Sequence, residues 1–280
     1  MRCGIICLVA GFCCATNVHA QGGWKSYHVP AGASNVSVLV FEPDQIPADG
    51  FSLLIALHGW NLKADEWKTS GIDTLASKHG ILVVCPQMGV ANYERKYFPE
   101  TKMKWNSVPS GPWIREQLLP FVEKTFRISS LRSRRGLIGV STGGHGALLE
   151  AGYYPESFGF AGMISGDFDV SETPSDGLAK ATFGPFASFR SRWKSESAVS
   201  FMSSYKDVRV YIGHGSVDPV APVSQARLAK KIFEEKAKES PGQFPFQYHE
   251  DAGGKHEWNF WRTEIAPAIE FFAAGFRSDR

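Results

Sequence analysis

A serine flanked by glycines near the middle of the chain carries the clearest chemical signal. The segment Gly139-Val140-Ser141-Thr142-Gly143 follows an apolar run typical of a strand and precedes small residues typical of a helix start. On such a turn the serine is held in a strained backbone conformation with its hydroxyl projecting from the sheet. The helix N-terminus adds partial positive charge. We therefore predict that Ser141 is a nucleophile, the alternative being an ordinary Gly/Ser turn.

A serine hydroxyl needs a base to accept its proton and an acid to orient that base. Where the nucleophile lies on such a turn, the chain order is serine, acid, histidine. Asp218 follows an apolar run and a Gly-rich turn, so it is our first choice of acid, and Asp169 is the second. An alternative role for Asp218 is to cap a helix that begins near Pro219, while Asp167 is interpreted as ordering its loop.

Two histidines follow Asp218 and are candidates for the base. His256 lies in a glycine-containing loop, residues 252–258, directly before the last predicted helix. A loop after the final strand is where the base must lie to reach the serine. We therefore predict His256 as the base, with His249 as the alternative.

An oxyanion hole requires two backbone N–H donors. One should come from Thr142, which follows the nucleophile, and the other from the loop after an early buried strand. That loop contains the sequence Leu-His-Gly-Trp-Asn at residues 57–61, and we assign the second donor to Trp60, with Gly59 and Asn61 as alternatives.

Two irregular stretches, residues 89–110 and 167–193, follow predicted strands and should lie over the active-site edge. Their aromatic side chains either line an apolar pocket or form small cores of the loops themselves. The candidate substrate-contacting residues are Trp105, His145 and Phe168. No histidine has a spacing typical of metal ligands, so we expect no metal.

The elements that must position these residues alternate between strand and helix. Continuous apolar runs predict strands that are buried on both faces, and amphipathic runs predict helices between them. Such alternation predicts an α/β fold with a mostly parallel, doubly wound sheet and helices on both faces. The predicted strands are 36–41, 52–57, 81–85, 136–140, 160–165, 208–213 and 244–249, and the predicted helices are 64–78, 113–126, 222–238 and 259–276.

Composition fits one globular domain with a full core. Of the 280 residues, 43% are hydrophobic and 21% are charged. The net charge of +2 and the absence of a basic run exclude nucleic acid as an expected partner. No linker divides the chain, so residues 21–280 are predicted to form a single domain.

Residues 1–20 have the pattern of a secretory signal. Arg2 precedes a short apolar stretch, and Val18-His19-Ala20 offers a cleavage site after Ala20. We expect a periplasmic or extracellular protein with no integral membrane segment after cleavage, the alternative being a short N-terminal helix or anchor. Four of the five cysteines lie in this segment, which leaves Cys85 as a buried apolar side chain without a disulfide partner.

Four motifs together carry a family resemblance. They are Leu57-His58-Gly59, the Gly-Val-Ser-Thr-Gly-Gly-His-Gly-Ala stretch at 139–147, Gly215-Ser216-Val217-Asp218 and Gly254-Lys255-His256-Glu257-Trp258. Over roughly residues 36–276 the chain resembles the esterase D-like, or putative esterase, branch of the α/β-hydrolases. That branch includes S-formylglutathione hydrolases, feruloyl and acetylxylan esterases, siderophore esterases and mycolyltransferases.

The resemblance implies a serine esterase that needs no metal or organic cofactor. Its substrate would be a small-molecule or carbohydrate-linked ester, with neither the acyl group nor the oligomeric state specified. The family often has methionine after the serine where this chain has Thr142, and the oxyanion role is retained because the donor is a backbone N–H. The alternatives are an acyltransferase on the same scaffold and a non-catalytic binding protein with this fold.

Overall fold

A computed structural model describes residues 22–277 of the chain. The predicted signal, residues 1–20, lies outside the described residues. Among the described helices, none combines the length and apolar character needed to cross a bilayer.

One sheet of eight strands organises the described part of the chain, in the order β1-β2-β4-β3-β5-β6-β7-β8. β1 and β2 are antiparallel to their neighbours, whereas β3 to β8 are parallel to one another. This confirms the predicted α/β-hydrolase architecture. The strands are β1 (Gly23–Ala31), β2 (Ser34–Glu42), β3 (Ser52–Leu57), β4 (Ile81–Pro86), β5 (Arg135–Val140), β6 (Phe160–Ile164), β7 (Arg209–Gly215) and β8 (Phe246–Asp251).

Helices cover both faces of the sheet. The first predicted helix is divided, because Gly71 adopts φ 80° between a 3-10 turn at Ala64–Thr69 and α1. A π-helical turn at Ile114–Leu118 joins α2 to α3. The helices are α1 (Ile72–His79), α2 (Ser110–Trp113), α3 (Leu119–Thr125), α4 (Thr142–Tyr153), α5 (Gly177–Phe183), α6 (Phe186–Ser195), α7 (Ser224–Glu239) and α8 (Trp258–Ala274).

The central strand β3 shows how the apolar runs build the core. Its side chains alternate between two buried clusters: Leu53, Ile55 and Leu57 join the cluster under α3, α4 and α7, while Leu54 and Ala56 join the cluster under α1 and α8. Burial of each large apolar side chain stabilises the fold by about 1.5–3 kcal/mol. These two layers fix the carboxyl ends of β3, β5, β6 and β7, where the candidate site lies.

The stretch predicted as irregular at 167–193 is largely helical, because it contains α5 and α6. Except for Phe168, its aromatic side chains pack together with Val170 and Ala179 into a small separate core that includes Phe183 and Trp193. We call residues 170–195 the cap segment. Arg192 joins it to the 89–110 stretch by stacking 3.8 Å from the ring centroids of Phe98 and Phe189.

Candidate active site

The turn between β5 and α4 has the geometry of a nucleophile elbow. Ser141 adopts φ 57° and ψ −128°, a conformation that costs of order 1–3 kcal/mol for a residue other than glycine. A Cβ on Gly139 would lie 2.1 Å from the carbonyl oxygen of Gly143, and a Cβ on Gly143 would lie 2.2 Å from that of Leu57. Both glycines are therefore required by close backbone approach, and together they hold the serine at the sheet edge.

Hydrogen bonds connect the three residues that the sequence singled out. His256 Nε2 lies 2.8 Å from Ser141 Oγ, and His256 Nδ1 lies 2.7 Å from Asp218 Oδ2. The other oxygen of Asp218 accepts from the backbone N–H groups of Val220 and Ala221 at 2.8 and 2.9 Å. The carboxylate of Asp218 thus binds its own loop and contacts the histidine, whereas the next helix, α7, begins only at Ser224 and is not capped by Asp218.

Charge at Asp218 sets the histidine tautomer. Burial by itself raises the pKa of this carboxyl, but the hydrogen bond with His256 and the two backbone donors outweigh burial and leave its pKa below the ordinary value. An ionised carboxylate only accepts hydrogen bonds, so the facing Nδ1 carries the proton. The Nε2 atom of His256 is then free to accept the proton of Ser141.

The alternative acid and base occupy other places. Asp169 accepts hydrogen bonds from the backbone and hydroxyl of Ser171 at 2.9 and 2.6 Å, so its carboxylate caps a 3-10 turn. His249 Nδ1 lies 2.7 Å from Glu264 Oε1 on the α8 side of the sheet. Their side chains are thus engaged in structural contacts rather than with Ser141.

The loop after β3 packs directly against the nucleophile. A Cβ on Gly59 would lie 2.8 Å from Ser141 Cβ, which brings the next residue, Trp60, to the cavity beside Thr142. Asn61 is poorly suited to donate to a substrate, because its N–H already donates to the carbonyl oxygen of Gly89 at 2.7 Å.

Buried hydrogen bonds of His58 hold this loop in place. Its Nε2 accepts from the backbone N–H of Met88 at 2.8 Å, and its Nδ1 lies 2.7 Å from the carbonyl oxygen of Gly59. Burial lowers the pKa of His58, so the ring is neutral and acts as a structural bridge.

A cavity of about 510 Å³ opens above Ser141, a size that accommodates a small organic ester. Its wall is formed by the cap segment and by residues from the loops after β3, β4, β6 and β7. The lining residues are Trp60, Asn92, Met103, Ser141, Thr142, Ser165, Asp167, Val170, Thr173, Asp176, Gly177, Leu178, Ala179, Val220, Ala221 and His256.

The three candidate substrate-contacting residues lie elsewhere, and this corrects the sequence interpretation. Phe168 is fully buried with its ring 6.2 Å from that of Phe233. Trp105 packs edge-on against Trp113 at 5.2 Å. His145 is buried in α4, with Nδ1 3.1 Å from the carbonyl oxygen of Asp167. The apolar ring of Phe168 gains more from full burial in the core than it would from a half-exposed position in the cavity wall.

Sequence reasoning expected the 167–193 stretch to lie over the active-site edge, but it did not name the residues of the cap segment that line the cavity, among them Val170, Asp176 and Leu178. Their positions after β6 were the available signal, but polar and aliphatic residues there resemble any surface loop. Over residues 22–277, no group of three or more histidine, cysteine or acidic side chains has an arrangement suited to a metal ion.

The sequence and the fold of this chain are similar to those of several known proteins. The family described as "Putative esterase" matches residues 31–272. The chain is 25% identical over 248 residues to the MPT51/MPB51 antigen of Mycobacterium bovis, covering 78% of each chain. It is 23% identical over 243 residues to an acetyl esterase of Caldicellulosiruptor saccharolyticus, covering 83% of this chain and 87% of that one. A solved S-formylglutathione hydrolase from Agrobacterium tumefaciens superimposes with a TM-score of 0.73 at 19% identity, covering 91% of this chain and 95% of the other.

Proposed function

We propose that this chain, which belongs to the putative esterase family, hydrolyses carboxylic esters through an acyl-enzyme formed on Ser141. The family and the fold support ester hydrolysis in general. The observation that carries the serine mechanism is the continuous hydrogen-bonded series Asp218–His256–Ser141 at the floor of a ligand-sized cavity.

Acylation begins when His256 Nε2 takes the proton of Ser141 and Oγ attacks the ester carbonyl carbon. The carbonyl oxygen becomes an oxyanion, which the backbone N–H groups of Trp60 and Thr142 stabilise, together with the N-terminus of α4. Asp218 stabilises the imidazolium electrostatically and keeps its own charge. When the tetrahedral species collapses, the carbon–oxygen bond to the alcohol breaks and His256 gives its proton to the departing oxygen.

Deacylation repeats these steps with water as the nucleophile. His256 accepts a proton from water, the hydroxide oxygen attacks the acyl carbon, and the bond to Ser141 Oγ breaks as the proton returns to the serine. The products are the carboxylic acid and the regenerated enzyme, so the reaction consumes water and needs no cofactor.

We further propose that the enzyme works outside the cytoplasm, because residues 1–20 have the composition of a signal with cleavage after Ala20. Expression of the full chain in a bacterial host, followed by N-terminal sequencing of periplasmic and cytoplasmic fractions, tests this. A periplasmic product that begins at Gln21 is expected, and an uncleaved cytoplasmic product would contradict it.

Hydrolysis of p-nitrophenyl esters from acetate to decanoate by residues 21–280 tests the proposed activity. Turnover should be lost in Ser141→Ala and retained in Ser188→Ala, which removes an exposed serine of α6 that does not line the cavity. Hydrolysis by Ser141→Ala at a rate comparable to the wild-type rate would refute the assignment of Ser141 as the nucleophile. Absence of turnover across the whole series in folded protein would count against a general esterase activity.

A further inference from the structure

Two carboxylates in the cavity have no part in the proposed mechanism. Asp167 lies three residues after the end of β6 and Asp176 precedes α5, and both line the cavity. One oxygen of Asp176 accepts from the backbone N–H of Ala179 at 2.6 Å, which commits that oxygen to capping α5. Among the described residues that line the cavity, none is lysine or arginine. The described wall therefore supplies no lysine or arginine that could balance this charge.

The uncompensated charge is evident at Asp167. Burial raises the pKa of this carboxyl to about 6, to which Asp176 and Asp218 add while His256 opposes them. At neutral pH Asp167 is nevertheless mostly ionised. A carboxylate that is poorly solvated and faces other carboxylates repels an anion in the cavity and gains strongly from a cation.

Two buried hydroxyl groups of the cavity wall could form hydrogen bonds with a polar ligand. The hydroxyl of Ser165 is fully buried, borders the cavity and has no hydrogen-bond partner among the described residues. The hydroxyl oxygen of Thr142 is also buried and has no hydrogen-bond partner among the described residues. At the mouth, Trp60 leaves 42% of its surface exposed while its indole N–H donates to Met103 Sδ at 3.3 Å. The faces of aromatic rings attract quaternary ammonium groups, so an exposed ring that lines the same cavity as two carboxylates favours an alkylammonium ligand.

We propose, resting on the esterase function above, that the natural substrate is an ester carrying an alkylammonium group, which Asp167 and Asp176 hold in the cavity beside Trp60. These carboxylates determine specificity and take no part in bond making. They select cationic esters over neutral esters of the same shape and disfavour esters whose acyl or alcohol part is anionic.

Two pairs of isosteric esters test the preference at pH 8, where Asp167 is ionised. Acetylcholine and 3,3-dimethylbutyl acetate differ by one charge on the alcohol. The p-nitrophenyl esters of 4-(trimethylammonio)butyrate and 5,5-dimethylhexanoate differ by one charge on the acyl group. In at least one pair kcat/KM should be about tenfold higher for the cationic ester, equivalent to about 1.4 kcal/mol. The ratio should approach one in Asp167→Asn.

Matched variants separate the specific effect from a general one. Asp176→Asn keeps an amide oxygen to cap α5, and it should lower the ratio less than Asp167→Asn because Asp176 is exposed. Glu172→Gln removes an exposed carboxylate of the cap segment that does not line the cavity, so it should leave the ratio unchanged. Equal ratios in the wild-type enzyme and Asp167→Asn, or no cationic preference in either pair, would overturn the proposal.

A binding measurement distinguishes this proposal from the esterase function itself. Calorimetric titration of Ser141→Ala with 4-(trimethylammonio)butanamide and with 5,5-dimethylhexanamide should give tighter binding of the cation, and Asp167→Asn in the same background should abolish the difference. Failure of every ester to react would refute the esterase function, while the amide titration would still decide on the cation site. Equal affinity for the two amides would refute the cation site even in an active esterase.

Discussion

Replacement of Asp218 by asparagine isolates the charge of the orienting acid from its shape. The carbonyl oxygen of the new side chain can still accept from the backbone N–H groups of Val220 and Ala221, which lie 2.8 and 2.9 Å from Oδ1. The amide nitrogen then occupies the position of Oδ2, 2.7 Å from His256 Nδ1. The loop is retained, but the partner of the histidine changes from an acceptor to a donor.

The change in partner inverts the histidine tautomer. An amide N–H that faces Nδ1 requires an unprotonated Nδ1, which places the proton on Nε2, 2.8 Å from Ser141 Oγ. Nε2 can then no longer accept the serine proton, and the imidazolium loses its stabilising charge. In serine hydrolases with this geometry the loss amounts to about 10⁴-fold in kcat, or about 5 kcal/mol of barrier height.

Steady-state kcat for a p-nitrophenyl ester at pH 8, measured on Asp218→Asn, checks this. The matched control is Asp169→Asn, because Asp169 is also a buried capping aspartate but contacts Ser171 rather than His256. The control should keep kcat near the wild-type value. A loss of less than tenfold in Asp218→Asn, or a larger loss in the control, would refute the assignment of the acid.

Three further predictions concern stability. Gly143→Ala places a Cβ within 2.2 Å of the carbonyl oxygen of Leu57, so it should lower the free energy of unfolding by about 3 kcal/mol in urea denaturation. An unchanged urea midpoint would show that the elbow relaxes without cost. Phe168→Ala should lower the free energy of unfolding by about 3–5 kcal/mol in the same assay while KM stays near the wild-type value, because this ring packs on Phe233 in the core; a selective rise in KM would restore it as a substrate contact. Asp167 has a pKa of about 6 in the folded protein against an ordinary 3.8, so its ionisation destabilises the fold as pH rises through this window. Asp167→Asn should therefore stabilise the protein by about 1 kcal/mol at pH 8 and not at pH 3.5, after allowance for partial exposure, and thermal melts that show no pH-dependent gain would contradict it.

Local pattern was sufficient to predict the elements that hold the site. The apolar runs at β3, β4 and β5 are nearly continuous, and this pattern predicts strands that are buried on both faces. The elbow is only partly a local feature: Gly139 is required by its contact with Gly143 within the turn, whereas Gly143 is required by the carbonyl oxygen of Leu57 on β3. Chain order then restricted the acid and base to a few candidates, and the structure brings the first choices, Asp218 and His256, into contact with Ser141.

The features that were missed depend on tertiary contacts. β1 was not predicted because its alternation is masked by exposed polar residues, and it is stabilised by pairing with β2. The cap helices α5 and α6 are short and contain few strong periodic signals, so their small shared core decides their structure. The three candidate substrate contacts, Trp105, His145 and Phe168, are absent from the cavity lining, because their rings make tertiary contacts elsewhere in the fold.

Rapid-quench mass spectrometry of the wild-type enzyme during turnover of p-nitrophenyl butyrate tests the central claim most directly. An acyl-enzyme mechanism predicts a protein heavier by one butyryl group, with the group mapped by fragmentation to Ser141, and no such adduct in Ser141→Ala. Hydrolysis at the same rate without an adduct, or with the butyryl group on another residue, would contradict the assignment of Ser141 as the nucleophile.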